Sequence, residues 1–288
     1  MTVTDLARQR RHTLFFLRET RGFAPVFLDT EVDMSRLAAR RAAVRHSTVT
    51  YVLYAAGRVL ARHPEANAAL LDGRRPRVAR YPAVHGKLTL DKTLDGHRVV
   101  LATVLPEIDR KELDEIQRHV DRFRDGDPAT MPEFAGVRRL HAAGSWRRAA
   151  RAFRGVVRPL NSRPAVWGTV AVTSLGHRPV DSFHSVGGTT ITIGLGQVTD
   201  RPVVRDGRIV VAPVMRLSLA FDHRVIDGAE AADVLADLRQ ELETFPPADP
   251  PPAAGGVVQP DGTAVTDQHT ANGRAVQATA HGQGRGDR

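Results

Sequence analysis

The stretch Phe221-Asp222-His223-Arg224-Val225-Ile226-Asp227-Gly228 places an imidazole between two carboxylates. A neutral imidazole with a pKa near ~6.5 takes a proton at neutral pH, which makes His223 a candidate general base. The residues before it, Leu217, Leu219 and Phe221, alternate as one face of a strand, and a helix is expected to start near Gly228. A sheet edge suits such a group, because the sheet fixes its position while the turn leaves its side chain accessible. Taken alone, a histidine at a strand end is more often structural than catalytic. Asp227, followed three residues later by Glu230, reads equally well as a helix N-cap with a capping-box partner. The chain has no cysteine, so disulfides, thiolate catalysis and Cys-based zinc sites are excluded. Base or nucleophile chemistry therefore falls to Ser, Thr, His, Asp, Glu or Lys, and no metal is expected.

A sheet must hold these residues, and the apolar pattern supplies one. Val26, Leu28, Thr30 and Val32 alternate within Pro25 to Asp33, and further strands are expected over 78–81, 99–105, 167–176, 189–195 and 214–221. The run from Val99 to Leu105 is nearly continuous, as in a strand buried on both faces. A hairpin is expected to turn at Asp206-Gly207, between Val203-Val204 and Ile209-Val210-Val211. Helices are expected from Asp5 to about Arg21, from Met34 to Arg41 behind an Asp33 cap, and from Val49 to His63 with Thr48 as cap and Pro64 as stop. Two more run from Asp109 to about Phe123 and from Gly228 to Leu242, the last burying Ala231, Val234, Leu235, Leu238 and Leu242. The pattern loosens after Phe123 and resumes at Trp167. Beyond Phe245, Pro, Gly, Ala, Asp, Gln and His follow without an apolar period, and residues 246–288 are expected to be a disordered tail.

With 288 residues, 42% of them hydrophobic, the chain can build a sizeable core, and 1–245 reads as one domain. No run approaches the roughly 18 apolar residues of a membrane span, and the N-terminus lacks a signal-peptide pattern, which implies a soluble, cytoplasmic protein. The net charge is +9. Eight arginines and no Asp or Glu lie between Phe134 and Val166. Within that segment Trp146, Ala149, Ala150, Phe153, Val156 and Val157 share one helical face that Pro159 should end. Three readings fit this basic amphipathic helix: a solvated lid, a dock for an acidic protein or for the phosphates of a ligand, or a contact with an anionic membrane surface. Nucleic acid is not expected, since the basic residues lack interleaved aromatics and a recognition motif.

The stretch from Leu217 to Ala229 resembles the C-terminal signature of the acyltransferase subunits of 2-oxo acid dehydrogenase complexes, Asp-His-Arg-x-x-Asp-Gly, matching every specified position. Chloramphenicol acetyltransferase carries a shorter His-x-x-x-Asp-Gly. The resemblance extends from about Arg10 to Leu242. It includes Pro25 to Leu37, the stretch Tyr54 to Ala68 ending in Pro-x-x-Asn-Ala, and Gly168-Thr169-Val170-Ala171-Val172-Thr173-Ser174-Leu175-Gly176. It implies an α/β chloramphenicol-acetyltransferase-like fold, a mixed β-sheet flanked by helices, assembled as a homotrimer with active sites between subunits. It also implies His223 as general base and Thr173 as donor to the oxyanion, with Ser174 as its neighbour and fallback. Asp227 would hold the local backbone through an ion pair, with Arg10 as candidate partner.

Departures from that family shape the functional expectation. No lipoyl-lysine motif is present, so any lipoamide acceptor arrives on another chain, and 134–166 is longer and more basic than the family's usual connection. The first expectation is a free-standing acyltransferase that moves an acyl group from a coenzyme A or carrier-protein thioester to the hydroxyl or thiol of a small molecule. The alternatives are a transacylase core subunit of a 2-oxo acid dehydrogenase complex, working with a lipoyl domain in trans, and a non-catalytic trimeric scaffold. The intact His223, Asp227 and Thr173 argue against the scaffold.

Overall fold

A computed structural model describes residues 1–247. The chain begins with a 3-10 turn leading into α1 (Arg11–Glu19), followed by β1 (Pro25–Asp33), α2 (Ser35–Ala43) and α3 (Thr48–Arg62). The short strands β2 (Ala68–Leu71) and β3 (Arg77–Arg80) pair with each other apart from the main sheet. Then come β4 (Gly86–Leu94), β5 (His97–Leu105), α4 (Leu113–Asp125), α5 (Ala135–Ala142), α6 (Trp146–Val157) and α7 (Arg163–Trp167). The last elements are β6 (Val170–Ser174), β7 (Ile191–Arg205), β8 (Arg208–Asp222) and α8 (Gly228–Glu243). The tail expected over 246–288 lies, from Ala248 onward, outside the described residues. No described helix is long and apolar enough to cross a membrane.

Six strands form one mixed sheet in the order β1-β8-β7-β6-β4-β5. β6 runs parallel to both β4 and β7, and the other neighbours are antiparallel. One face is apolar. Leu217, Leu219 and Phe221 of β8, Ile191 and Ile193 of β7, and Val170 and Val172 of β6 are fully buried in the same core cluster as Val52 and Val59 of α3 and Val234 and Leu238 of α8. The alternate positions of the same strands carry Ala171, Thr192, Ser218, Ala220 and Asp222, and Lys87 of β4 lies beside Ala171, all buried. This second face is lined by small and polar side chains, and Trp167 and Gly187 pack close to it.

Local chemistry sets several boundaries away from the apolar pattern. α3 is capped by Ser47, whose hydroxyl accepts from Thr50 N at 3.2 Å, so Thr48 is its first residue and not its cap. α4 starts at Leu113 behind a capping box of Glu112 and Glu115. Asp109 instead accepts from Val84 N at 2.9 Å and ties the loop to β4. The expected turn at Asp206-Gly207 is present with positive φ at both residues, 49° and 74°, as a tight hairpin with two left-handed positions requires. Its arms are longer than the pattern suggests, because β7 and β8 each continue for 15 residues through a register shift between Leu195 and Val198.

The arginine-rich segment is docked against α1. Phe15 packs on Trp146 and Phe153 with ring centroids 4.6 and 5.9 Å apart, and Phe16 stacks on Trp167 at 5.3 Å. Glu19 receives Arg154 at 3.1 Å and Arg158 at 2.6 Å. α6 ends before Pro159 as expected, but Val156 is 51% exposed and lies off the buried stripe. His12 and His141 join the two parts at 2.9 Å. Burial and the mutual proximity of the rings push His141 down to about 4.

The sequence pattern does not single out Lys87. Its Nζ donates to Gly187 O at 2.9 Å and lies over the rings of Phe16 and Trp167, at 4.7 and 4.9 Å. The ring faces favour the ammonium; burial first, and then Arg163, push the group down to about 7 from 10.5. Between those limits the unfolded chain holds a proton that the native chain lacks, so stability rises with pH across that window, by on the order of 1.4 kcal/mol for each pH step of one. Lys87→Met is expected to raise the thermal midpoint at pH 6 relative to the native chain and to give little or no gain at pH 10. Melting curves that stay parallel across this range would show that Lys87 remains charged.

Candidate active site

β8 sits between β1 and β7, and its last residue, Asp222, begins the turn that carries His223. Asp222 N donates to Thr190 O and His223 N to Ala24 O, both at 3.0 Å, so the turn is held by the strands on either side. Asp222 is buried on the polar face, where its carboxylate accepts from Arg224 Nε at 2.9 Å and Nη2 at 2.7 Å, and from Arg224 N at 3.2 Å. The forked pair bridges residues i and i+2 and clamps His223 between them. The same pairing holds Arg224 above the ordinary guanidinium value, with the Asp222 hydrogen bonds as the largest cause. Burial of a carboxylate without such a partner would cost several kcal/mol, so the ion pair and the turn stabilise each other.

His223 points away from that pair. Its ring meets Phe221 edge-on at 5.6 Å and its side chain is 48% exposed. Nδ1 lies 3.2 Å from Ile226 O and 3.4 Å from Asp227 Oδ1. A carbonyl oxygen can only accept, so Nδ1 carries the proton and Nε2 keeps its lone pair. That tautomer leaves Nε2 as the ring nitrogen able to take a proton.

Asp227 occupies the N-cap position of α8 but makes no capping hydrogen bond with its side chain. Glu230 is 2.9 Å from His63 Nδ1, so the expected capping box does not form. Asp227 is 91% exposed, and the basic side chain it meets among the described residues is His223. Arg10 is exposed at the end of the opening 3-10 turn and forms no ion pair with Asp227.

Thr173 lies on the polar face near the end of β6, half-buried, with no hydrogen bond to its hydroxyl among the described residues. Ser174 Oγ accepts from Gly176 N at 3.3 Å and shapes the following turn. The chain does not bring Thr173 to His223. Thr173 is level with Gly194, and Gly194 with Ser218, which is five residues short of His223. At about 3.3 Å per residue along a strand and about 4.8 Å between strands, the two lie on the order of 17–20 Å apart.

Two adjoining cavities open on the other side of the Asp222-His223-Arg224 turn. The larger, about 420 Å³, is bounded by α1, the β2–β3 turn, α6 and α7, and Arg224 lines both. His223 lines neither. Among the described residues no group of His, Asp or Glu side chains is arranged to hold a metal ion.

Residues 160–248 match the family described as 2-oxoacid dehydrogenases acyltransferase (catalytic domain). The dihydrolipoyllysine-residue acetyltransferase component of the pyruvate dehydrogenase complex of Bacillus subtilis is 25% identical over 229 residues, covering 75% of this chain and 44% of that protein. The lipoamide acyltransferase component of the branched-chain alpha-keto acid dehydrogenase complex of Pseudomonas putida is 34% identical over 175 residues, covering 55% and 40%. The chain thus spans less than half the length of these relatives. A solved structure of a probable dihydrolipoamide acetyltransferase from Listeria monocytogenes superposes with a TM-score of 0.61 at 16% identity, covering 84% of this chain and 94% of that one. The fold and the family resemblance read from the sequence are therefore both present.

The clamp on the histidine turn can be tested by itself. Asp222→Asn removes the charge that Arg224 pairs with and should lower stability by roughly 2 kcal/mol, since hydrogen bonds to charged groups contribute about 1.5–3 kcal/mol. It should also raise the backbone mobility of residues 223–226 in amide relaxation measurements. A variant with unchanged melting and an equally ordered turn would remove the ion pair from its positioning role.

Proposed function

We propose that this chain, with the fold of the 2-oxo acid dehydrogenase acyltransferase cores and the family's signature over its last described third, is an acyltransferase with His223 as general base. The observation that carries the reading is the engagement of the imidazole: Nδ1 is taken up by Ile226 O, which leaves Nε2 as the basic atom of a half-exposed side chain. As the thiol or hydroxyl of the acceptor adds to a thioester carbonyl, Nε2 takes its proton. The tetrahedral adduct then collapses, the carbon–sulfur bond breaks, and the proton passes from Nε2 to the departing thiolate. Such base catalysis contributes about 10²- to 10⁴-fold.

The oxyanion of the adduct needs a donor, and in this reading the donor is Thr173 of a neighbouring copy in a homotrimer. The separation between Thr173 and His223 within one chain supports that arrangement, because only a second subunit can bring the hydroxyl to the imidazole. One well-placed donor contributes roughly 10²- to 10³-fold. Asp227 Oδ1 lies 3.4 Å from Nδ1 and so adjoins the ring nitrogen that does not take the proton. Residues 1–245 form the catalytic domain, with 134–166 as a basic insertion against α1. The donor is a thioester of coenzyme A or of an acyl carrier protein, and the acceptor a small molecule. The names of the two relatives favour a second reading, in which the acceptor is a lipoyl group supplied by another chain.

His223→Ala and Thr173→Ala should each lower the release of free coenzyme A from acyl-coenzyme A by about 10²-fold or more while leaving assembly intact. Co-expression of the two inactive variants should recover turnover, because mixed trimers contain interfaces with one intact His223 and one intact Thr173. Full activity in His223→Ala would remove the base from the mechanism, and failure of mixed trimers to recover would remove the shared site. Turnover with dihydrolipoamide, compared with a panel of small hydroxyl and thiol acceptors, separates the two acceptor readings.

A further inference from the structure

The larger cavity behind the histidine turn holds an excess of positive charge that the chain does not neutralise. Its walls carry four arginines, Arg18, Arg158, Arg163 and Arg224, against two carboxylates, Glu19 and Asp72. Glu19 is taken up by Arg154 and Arg158. Asp72 reaches Arg224 only at 3.5 Å, while Arg224 is already clamped on Asp222.

Two of these arginines have no carboxylate partner among the described residues. Arg163 donates from Nη1 to Leu70 O at 3.0 Å and from Nη2 to Gly188 O at 3.1 Å. These are two of the five N–H donors of a guanidinium, and burial lowers its affinity for its proton. Arg18 rests over the Trp146 ring at 4.9 Å and makes no hydrogen bond to the protein among the described residues. A third observation points the same way. Trp167 lines the larger cavity, and its Nε1 is buried with no acceptor beside Gly188, a wall of the smaller one.

We propose that this cavity is an anion site for a diphosphate group, on the opposite side of the turn from the catalytic imidazole. A diphosphate carries several charged oxygens that accept forked hydrogen bonds from more than one guanidinium, and arginines in a recessed, partly apolar cleft focus their field on such a group. A monocarboxylate neutralises only one of the two surplus charges. The volume, about 420 Å³, exceeds the needs of inorganic pyrophosphate and lies in the range of sites for nucleotide-sized ligands. Val157 and Trp167 provide apolar wall for an organic portion. Because Arg224 belongs both to this cavity and to the clamp on Asp222, an anion bound here would act on the residue pair that holds the His223 turn.

Calorimetric titration of the full chain with inorganic pyrophosphate and, separately, adenosine diphosphate tests the site without any acyl donor, so its outcome is independent of the acyl-transfer reading. Saturable binding of one anion per chain that weakens with added salt is expected. Arg18→Gln should reduce the affinity about tenfold or more and should still fold, because this side chain makes no hydrogen bond to the protein. Arg163→Gln should act in the same direction, and Arg208→Gln, exposed at the tip of the β7–β8 hairpin, should leave binding unchanged. Tighter binding of the nucleotide assigns the site to a nucleoside diphosphate, and equal binding assigns it to the free anion. No saturable binding of either, or unaltered affinity in Arg18→Gln with its fold verified by circular dichroism, overturns the proposal.

Discussion

The ion pair between the buried Asp222 carboxylate and the partly exposed Arg224 is the constraint on which the candidate site depends. A carboxylate at the end of a central strand, on a face of small and polar side chains, requires a cation, and the nearest one along the chain is two residues on. Meeting that requirement folds the backbone tightly around His223 and turns its ring toward the opposite face. The carbonyl of Ile226 then selects the tautomer. One electrostatic demand in the sheet thus fixes both where the imidazole lies and which of its nitrogens is free.

The sheet also separates the two groups that acyl transfer would use. β6 and β8 are divided by β7, and the registers place Thr173 level with Ser218, several residues before the turn. No side-chain movement within one chain closes that gap. The fold therefore places the His223 imidazole at one end of the sheet and the Thr173 hydroxyl toward the other, out of reach of each other within one chain.

Charge is distributed with similar economy. The arginines of 134–166 do not form a free-standing basic arm, because Phe15 anchors the aromatic side of the segment and Glu19 holds two of its arginines. What this docking leaves over is directed in two ways. Arg147, Arg148 and Arg151 remain exposed on α6, whereas Arg163 turns toward the cavity beside α1. A net charge of +9 says nothing of this division, which follows from which helix face the aromatic residues bury.

The strands with clear alternation, the hairpin at Asp206-Gly207 and the closing helix were legible in the sequence, because each is set by neighbours within a few residues. The signature around His223 was legible for the same reason: its spacing is local. β2 and β4 were not. β4 mixes Lys87, Asp91 and Lys92 into a strand whose lysine is buried only because Phe16 and Trp167, far away in the chain, close over it. The distance between Thr173 and His223 and the convergence of four arginines on one cavity were likewise decided by the tertiary structure. Each depends on which strand lies beside which and which helix face turns inward, and residue order along a single segment carries no record of that choice.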